Sequence, residues 1–111
     1  MNQVAGLSAW VLVDVTTSEV VGHFDVTLAD STASLGRVII DPKRRGQGYA
    51  HTLVNHAISL TRQLGASLLS LNVIVGNDTA IHVYEQAGFC KTDSNERPGV
   101  HKMTLRLAAT R

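Results

Sequence analysis

A chain of 111 residues has the length of one domain and can bury roughly two-thirds of the surface its unfolded form exposes. Ten Lys/Arg against nine Asp/Glu leave a net charge of +1, which argues against a general nucleic-acid or membrane-surface binder, and no apolar run approaches the roughly 20 residues of a membrane span. Charged residues make up 17% against a usual share of about 25%, so a small surface with few charges leaves apolar area for a partner. The single cysteine, Cys90, excludes an intrachain disulfide and suits a soluble protein of a reducing, cytoplasmic compartment. It reads as a small buried hydrophobe rather than a nucleophile.

Residues 1–8 carry no pattern. Ala9 to Val15 (A-W-V-L-V-D-V) is rich in strand formers, Thr16 to Glu19 turns the chain, and Val20 to Leu28 alternates Gly22, Phe24, Val26 and Leu28 against Val21, His23, Asp25 and Thr27. An antiparallel hairpin is expected. A third strand, Ser34 to Ile40, ends where Pro42 removes a donor and disfavours helical geometry at Asp41.

From Gly48 onward Ala50, Leu53, Val54, Ala57, Ile58 and Leu64 follow helical spacing, with Gly65 placed to stop the helix. Ser67 to Val75 is a nearly continuous apolar run, which predicts a strand buried on both faces and parallel to the third. Asn77 or Asp78 can cap a second helix with Ala80, Val83, Tyr84 and Ala87 on its inner face and Gly88 at its end. Phe89 to Thr92 begins a further strand, Asp93 to Gly99 turns, and Val100 to Leu107 alternates as the closing strand. The order is β-β-β-α-β-α-β-β, and the expected architecture is an α/β (α+β) mixed sheet with two helices in a single domain.

The stretch with chemistry in it is Arg44 to Ala50, R-R-G-Q-G-Y-A, between a strand and a helix. Backbone N–H groups and the positive end of a helix converge there on one point, which makes an anion site. Two familiar glycine loops are excluded by spacing. The nucleotide P-loop G-x-x-x-x-G-K-[ST] is absent, and after Gly46 and Gly48 a dinucleotide fingerprint would need glycine where His51 stands. Gly46 and Gly48 let main-chain amides approach a phosphate unobstructed, and Arg44 and Arg45 supply charge; the same residues would also make a plain basic turn.

Arg45, Gly48 and Ala50 occupy the three specified places of the Q/R-x-x-G-x-G/A motif, and this loop resembles that of the GNAT superfamily of N-acetyltransferases. Asn77 to Phe89 (N-D-T-A-I-H-V-Y-E-Q-A-G-F) is similar to the second motif of that superfamily, in the right order and at a suitable distance. The resemblance covers Ala9 to about Leu107. It implies a sheet whose two neighbouring parallel strands splay apart around acetyl-CoA, the acetyl donor. No metal site is expected, because His51 and His56 are five apart, off one helical face, and His82 and Cys90 have no partner at ligand spacing. By position, Val38, Ile39 and Ile40 would pair with the pantetheine arm. Arg45, Gly46, Gln47, Gly48, Tyr49 and Ala50 would cradle the pyrophosphate, and Asn77 would help hold the arm, although Asn77 is equally a helix cap. Tyr84 matches the tyrosine that protonates the departing thiolate, and is equally an aromatic on the core face of a helix.

The resemblance implies direct acetyl transfer to a primary amine of a small molecule or peptide, with cleft amides polarising the carbonyl. His23, Asp25, Glu19, Asp41 and His101 are all conceivable bases for that amine. A non-catalytic acyl-CoA-binding or regulatory module of the same fold is the alternative, and a bare interaction domain a third. Larger members of the superfamily begin with a strand and two helices that wall the acceptor site, whereas only eight residues precede the first strand here. Either the acceptor groove is open or a second subunit supplies the wall, and the low charge content favours a homodimer.

Overall fold

The computed structural model describes residues 6–92 and 98–107. Three antiparallel strands lead, β1 (Gly6–Asp14), β2 (Glu19–Ala29) and β3 (Thr32–Ile40). Asp14 shapes the first turn by accepting the Thr16 N–H at 2.9 Å, and Asp30 adopts φ 55 in the second, a left-handed conformation that Asp tolerates. After a single 3-10 turn, Pro42–Arg44, come α1 (Tyr49–Gln63), β4 (Leu68–Ile74), α2 (Asp78–Gln86), the two-residue β5 (Cys90–Lys91) and β6 (Val100–Arg106). The sheet order is β1-β2-β3-β4-β6-β5, with β3 and β4 parallel and the other neighbouring pairs antiparallel. This is the expected mixed sheet with two helices.

Directly paired residues share a face, so the registers sort the whole sheet. Gly22, Phe24, Val26, Leu35, Leu69, Leu71 and Met103 lie on one side, where α1 packs on β2 and β3 and touches α2. Leu53, Val54 and Ala57 of α1, with Ile81 and Tyr84 of α2, complete that core. Burying each such Leu or Val side chain is worth about 1.5–3 kcal/mol. The other side of the sheet carries Leu7, Val11, Val13, Ile39 and Ile74, all substantially exposed, and no helix of the described residues covers it.

Several expectations change at this level. β4 is buried on both faces only as far as Leu71; beyond it Asn72 and Ile74 turn to the uncovered side. Cys90 is exposed, because β5 is a two-residue strand at the edge of the sheet. On α1, Leu64 is 44% exposed, and the place expected for an apolar residue is taken by Thr61, which is fully buried. Its hydroxyl donates to the Ala57 carbonyl at 2.9 Å, so burial leaves no polar group unpaired. Most of the expected turn Asp93 to Gly99 lies outside the described residues; Pro98 and Gly99 form its last part. No helix among the described residues is long and apolar enough to cross a membrane.

Two bulges shape the sheet. Val21 is the extra residue of β2 against β1, and on β3 Arg37 and Val38 together face Phe24, with Arg37 at φ 49. The second bulge lets apolar residues Ala33 and Leu35, then Val38 and Ile40, all serve the helix side. Gly22 is where this strand pair meets α1. A Cβ there would stand 2.9 Å from Leu53 Cδ1 and 3.1 Å from the Ile39 carbonyl oxygen. Gly22→Val is therefore expected to cost about 1–3 kcal/mol by overpacking, read from urea unfolding; wild-type stability would show that α1 can shift away freely.

Candidate functional site

β3 and β4 are paired only from Thr32 and Leu68 to Leu35 and Leu71. Both strands continue past that point without pairing to each other, β3 to Ile40 and β4 to Ile74. The Arg37 bulge is where they part. On its other side β3 stays bonded to β2, since the Asp41 N–H donates to the Val21 carbonyl at 2.9 Å. Strand alternation then turns the N–H and C=O groups of Val38 and Ile40 into the gap, while those of Ile39 face β2. The sequence offered Val38, Ile39 and Ile40 alike; the structure gives the first and last a free backbone edge and Ile39 a side-chain place on the uncovered lip.

The gap opens into a cleft of about 740 Å³. One end is the glycine loop. Asp41 accepts the Lys43 N–H at 3.0 Å and Pro42 fixes the start of the 3-10 turn, which delivers the chain to Gly46 and Gly48, both at φ 82. Gly48 is the N-cap of α1, and no side chain caps the helix. The first N–H groups of α1 therefore have no partner within the helix, and they meet the cleft together with the positive end of the helix dipole. A Cβ on Gly48 would touch nothing within 4 Å, so the glycine opens the loop toward space rather than toward packed atoms.

The two arginines divide the work. Arg44 donates to Asp14 at 3.1 Å and also bonds Glu19, which ties the glycine loop to the tip of the β1–β2 hairpin. These contacts, above all the one to Asp14, push the Arg44 guanidinium above its usual range, and the Thr16 N–H and Arg44 hold the Asp14 carboxyl below its own. Arg44 is thus engaged by carboxylates of its own chain, while Arg45 beside it is exposed and lines the cleft.

The helices wall the cleft with Val54, Thr79, Ala80, Val83 and Tyr84. Asn77 caps α2 by accepting the Ala80 N–H at 3.3 Å, so its cap role is realised, and it lines the cleft as well. Tyr84 is 7% exposed, its ring edge-on to Phe89 at 5.8 Å, and burial pushes its phenol above the ordinary value. It holds its proton at neutral pH. Among the described residues no side chain bonds its hydroxyl, and the residue borders the cleft. Of the residues singled out from sequence, Val38, Ile39, Ile40, Arg44, Arg45, Gly46, Gly48, Tyr49, Ala50, Asn77 and Tyr84 line this cleft, and Gln47 does not. His51, Thr79 and Val83 were not anticipated there. Their signal was positional: each stands on the first or second turn of a helix that starts at the cleft.

The chain belongs to the Acetyltransferase (GNAT) family, whose profile matches residues 3–89. The spermidine N(1)-acetyltransferase of Vibrio cholerae is 39% identical over 54 residues, which are 48% of this chain and 31% of that protein, so the match spans about a third of the curated relative. Among solved structures, the spermidine N-acetyltransferase of Vibrio cholerae in complex with CoA and spermine superposes with a TM-score of 0.78 at 25% identity, over 91% of this chain and 66% of that one. The ribosomal-protein-S18-alanine N-acetyltransferase of Escherichia coli shares the fold at a TM-score of 0.81 and 23% identity, over 95% and 72% of the two chains.

The lowered Asp14 carboxyl makes an acid test of the loop tether. A carboxyl whose pKa falls on folding adds stability above its unfolded value of about 3.9 and loses it as pH falls through the folded value. Asp14→Asn should therefore be less stable than wild type near neutrality, with the two curves converging below pH of about 3.9 in urea titrations. A difference independent of pH would assign the effect to shape instead.

Proposed function

We propose that this chain is an acetyl-CoA-dependent N-acetyltransferase that moves an acetyl group directly to a primary amine of a small molecule or peptide. The observation that carries this reading is the conjunction of a free β3 edge, an uncapped helix N-terminus and a protonated phenol around one cleft. An extended amide-containing arm can continue the sheet along Val38 and Ile40, as an added strand would. Its pyrophosphate meets the amides of Gly46 to Ala50 and the Arg45 guanidinium, with Asn77 beside the arm. Acetyl-CoA is consumed as a substrate, and residues 1–111 act as one acetyl-CoA-binding domain.

Within that arrangement the backbone edge orients the thioester and main-chain N–H groups stabilise the oxyanion as the amine attacks. Tyr84 donates its proton to the departing sulfur, a task that needs a phenol still protonated at working pH. The related spermidine N-acetyltransferase makes a polyamine a reasonable acceptor to test first. A cytoplasmic setting suits a chain with one cysteine, and a homodimer would cover part of the exposed apolar sheet face; the spermidine N-acetyltransferase of Vibrio cholerae has a dodecameric structure.

Acetyl-CoA at about 100 times its Kd should stabilise the fold by about 2.7 kcal/mol, seen as a rise in Tm, and no rise would remove the reading. Free thiol should then appear with a panel of polyamines, amino acids and peptide N-termini. Tyr84→Phe keeps the ring contact with Phe89 and should lower kcat about 100-fold with CoA binding nearly intact; an unchanged rate would end its role as the acid. Gly48→Val forces a β-branched residue to φ 82 and places methyls in the loop mouth, so CoA affinity should fall at least about tenfold by calorimetry.

A further inference from the structure

The gap between β3 and β4 passes through the sheet, so it has two mouths. Tyr84 and the helices close one of them. The other opens on the uncovered face, beside Ile39, which is 53% exposed. A thioester lying in the gap with its sulfur toward Tyr84 is therefore reached by an amine only from the uncovered side.

His23 lies one strand back from that mouth, on β2. It pairs across β2 and β3 with Ile39, so their side chains are neighbours on the uncovered face. Its Nε2 lies 2.8 Å from Asp25 Oδ1, two residues along the same strand and on the same face. Asp25 is in turn held by Arg37, whose Nε is 3.5 Å from Oδ2 and whose bulged backbone is the point where the cleft begins. The facing residue of β1 is Val11, so Asp25 and Arg37 are the charged groups that face this imidazole from the strands beside it. Asp25 accepting from Nε2–H leaves the Nδ1 lone pair free, and this fixes the tautomer of the ring.

We propose that His23, positioned by Asp25, is the base that takes the proton from the acceptor ammonium, a role that rests on the acetyltransferase reading above. The other sequence candidates are placed less well. Glu19 is bonded to Arg44, and Asp41 serves the Lys43 N–H. His101 pairs with Val73 on the helix side. In the step, the ammonium gives one proton to His23 Nδ1 and the neutral amine bonds to the acetyl carbon. The C–S bond breaks as Tyr84 protonates the sulfur, the second proton shed by nitrogen returns to the phenolate, and His23 passes its proton to water. One proton is released per acetyl group transferred.

The test compares wild type with His23→Gln, which keeps a polar side chain beside Asp25 but cannot titrate. With a strongly basic alkylamine, kcat/KM near neutrality should fall about 100-fold, and the acid limb of the pH profile should follow the ionisation of the amine alone. With hydroxylamine, which is already neutral near pH 7, the rate should stay within about threefold of wild type, and the Tm rise on adding CoA should be unchanged. Asp25→Asn should give an intermediate loss with a displaced acid limb and the same selectivity between the two amines. Equal losses on both amines, or an unchanged pH profile in His23→Gln, would overturn the assignment while leaving the acetyltransferase reading standing. A wild-type chain that binds CoA but acetylates no amine would overturn both.

Discussion

Everything in this fold depends on where β3 and β4 stop bonding to each other. A parallel pair in the middle of a sheet ordinarily satisfies both backbone edges along its length. Here the ladder ends at Leu35 and Leu71, although both strands run on. The backbone groups of Val38 and Ile40 keep their extended geometry and lose their partner strand, which leaves a free edge inside the sheet rather than at its rim. An exposed edge at the rim invites pairing with any other chain, whereas this one admits only what fits between two strands and under two helices.

The rest of the site is an answer to what such an edge could hold. The glycine loop and the uncapped start of α1 supply positive potential at one end without side-chain bulk. The α2 wall supplies a buried phenol at the other. Arg44 joins the loop to the β1–β2 hairpin tip, so the glycine-loop end of the cleft is braced from outside it. The division between Arg44 and Arg45 shows that two adjacent cations can carry quite different roles: one is matched by carboxylates of its own chain, and the other faces solvent.

Much of this was legible in the sequence. Hydrophobic period fixed the strands and helices because each buries one face, and the glycines after α1 and α2 marked their ends. The spacing of Arg45, Gly48 and Ala50, followed by Asn77 to Phe89, located the cleft walls. Burial by context was less legible. Cys90 is small and apolar enough for a core but falls on a two-residue edge strand, and Thr61 is polar yet buried because the helix backbone satisfies its hydroxyl. Ile74 looked like core within an apolar run, yet it faces a side of the sheet that no described helix covers. The choice among His23, Asp25, Glu19, Asp41 and His101 could not be made from the chain alone, since it depends on which face of the sheet each occupies and which are already engaged.

The Arg37 bulge was also written in the sequence, as a break in alternation: Ala33 and Leu35 are two apart, but the next inward residue is Val38 rather than Arg37. Removing that one residue would restore an unbroken period-2 strand in which Val38 alone faces Phe24, and every residue after it would keep its face. Val38 and Ile40 would still point toward the helices, and what the strand would lose is the bend and added twist that a bulge imposes where β3 leaves β4. The cleft thus opens where one surplus residue bends a strand beside a neighbour it no longer pairs with.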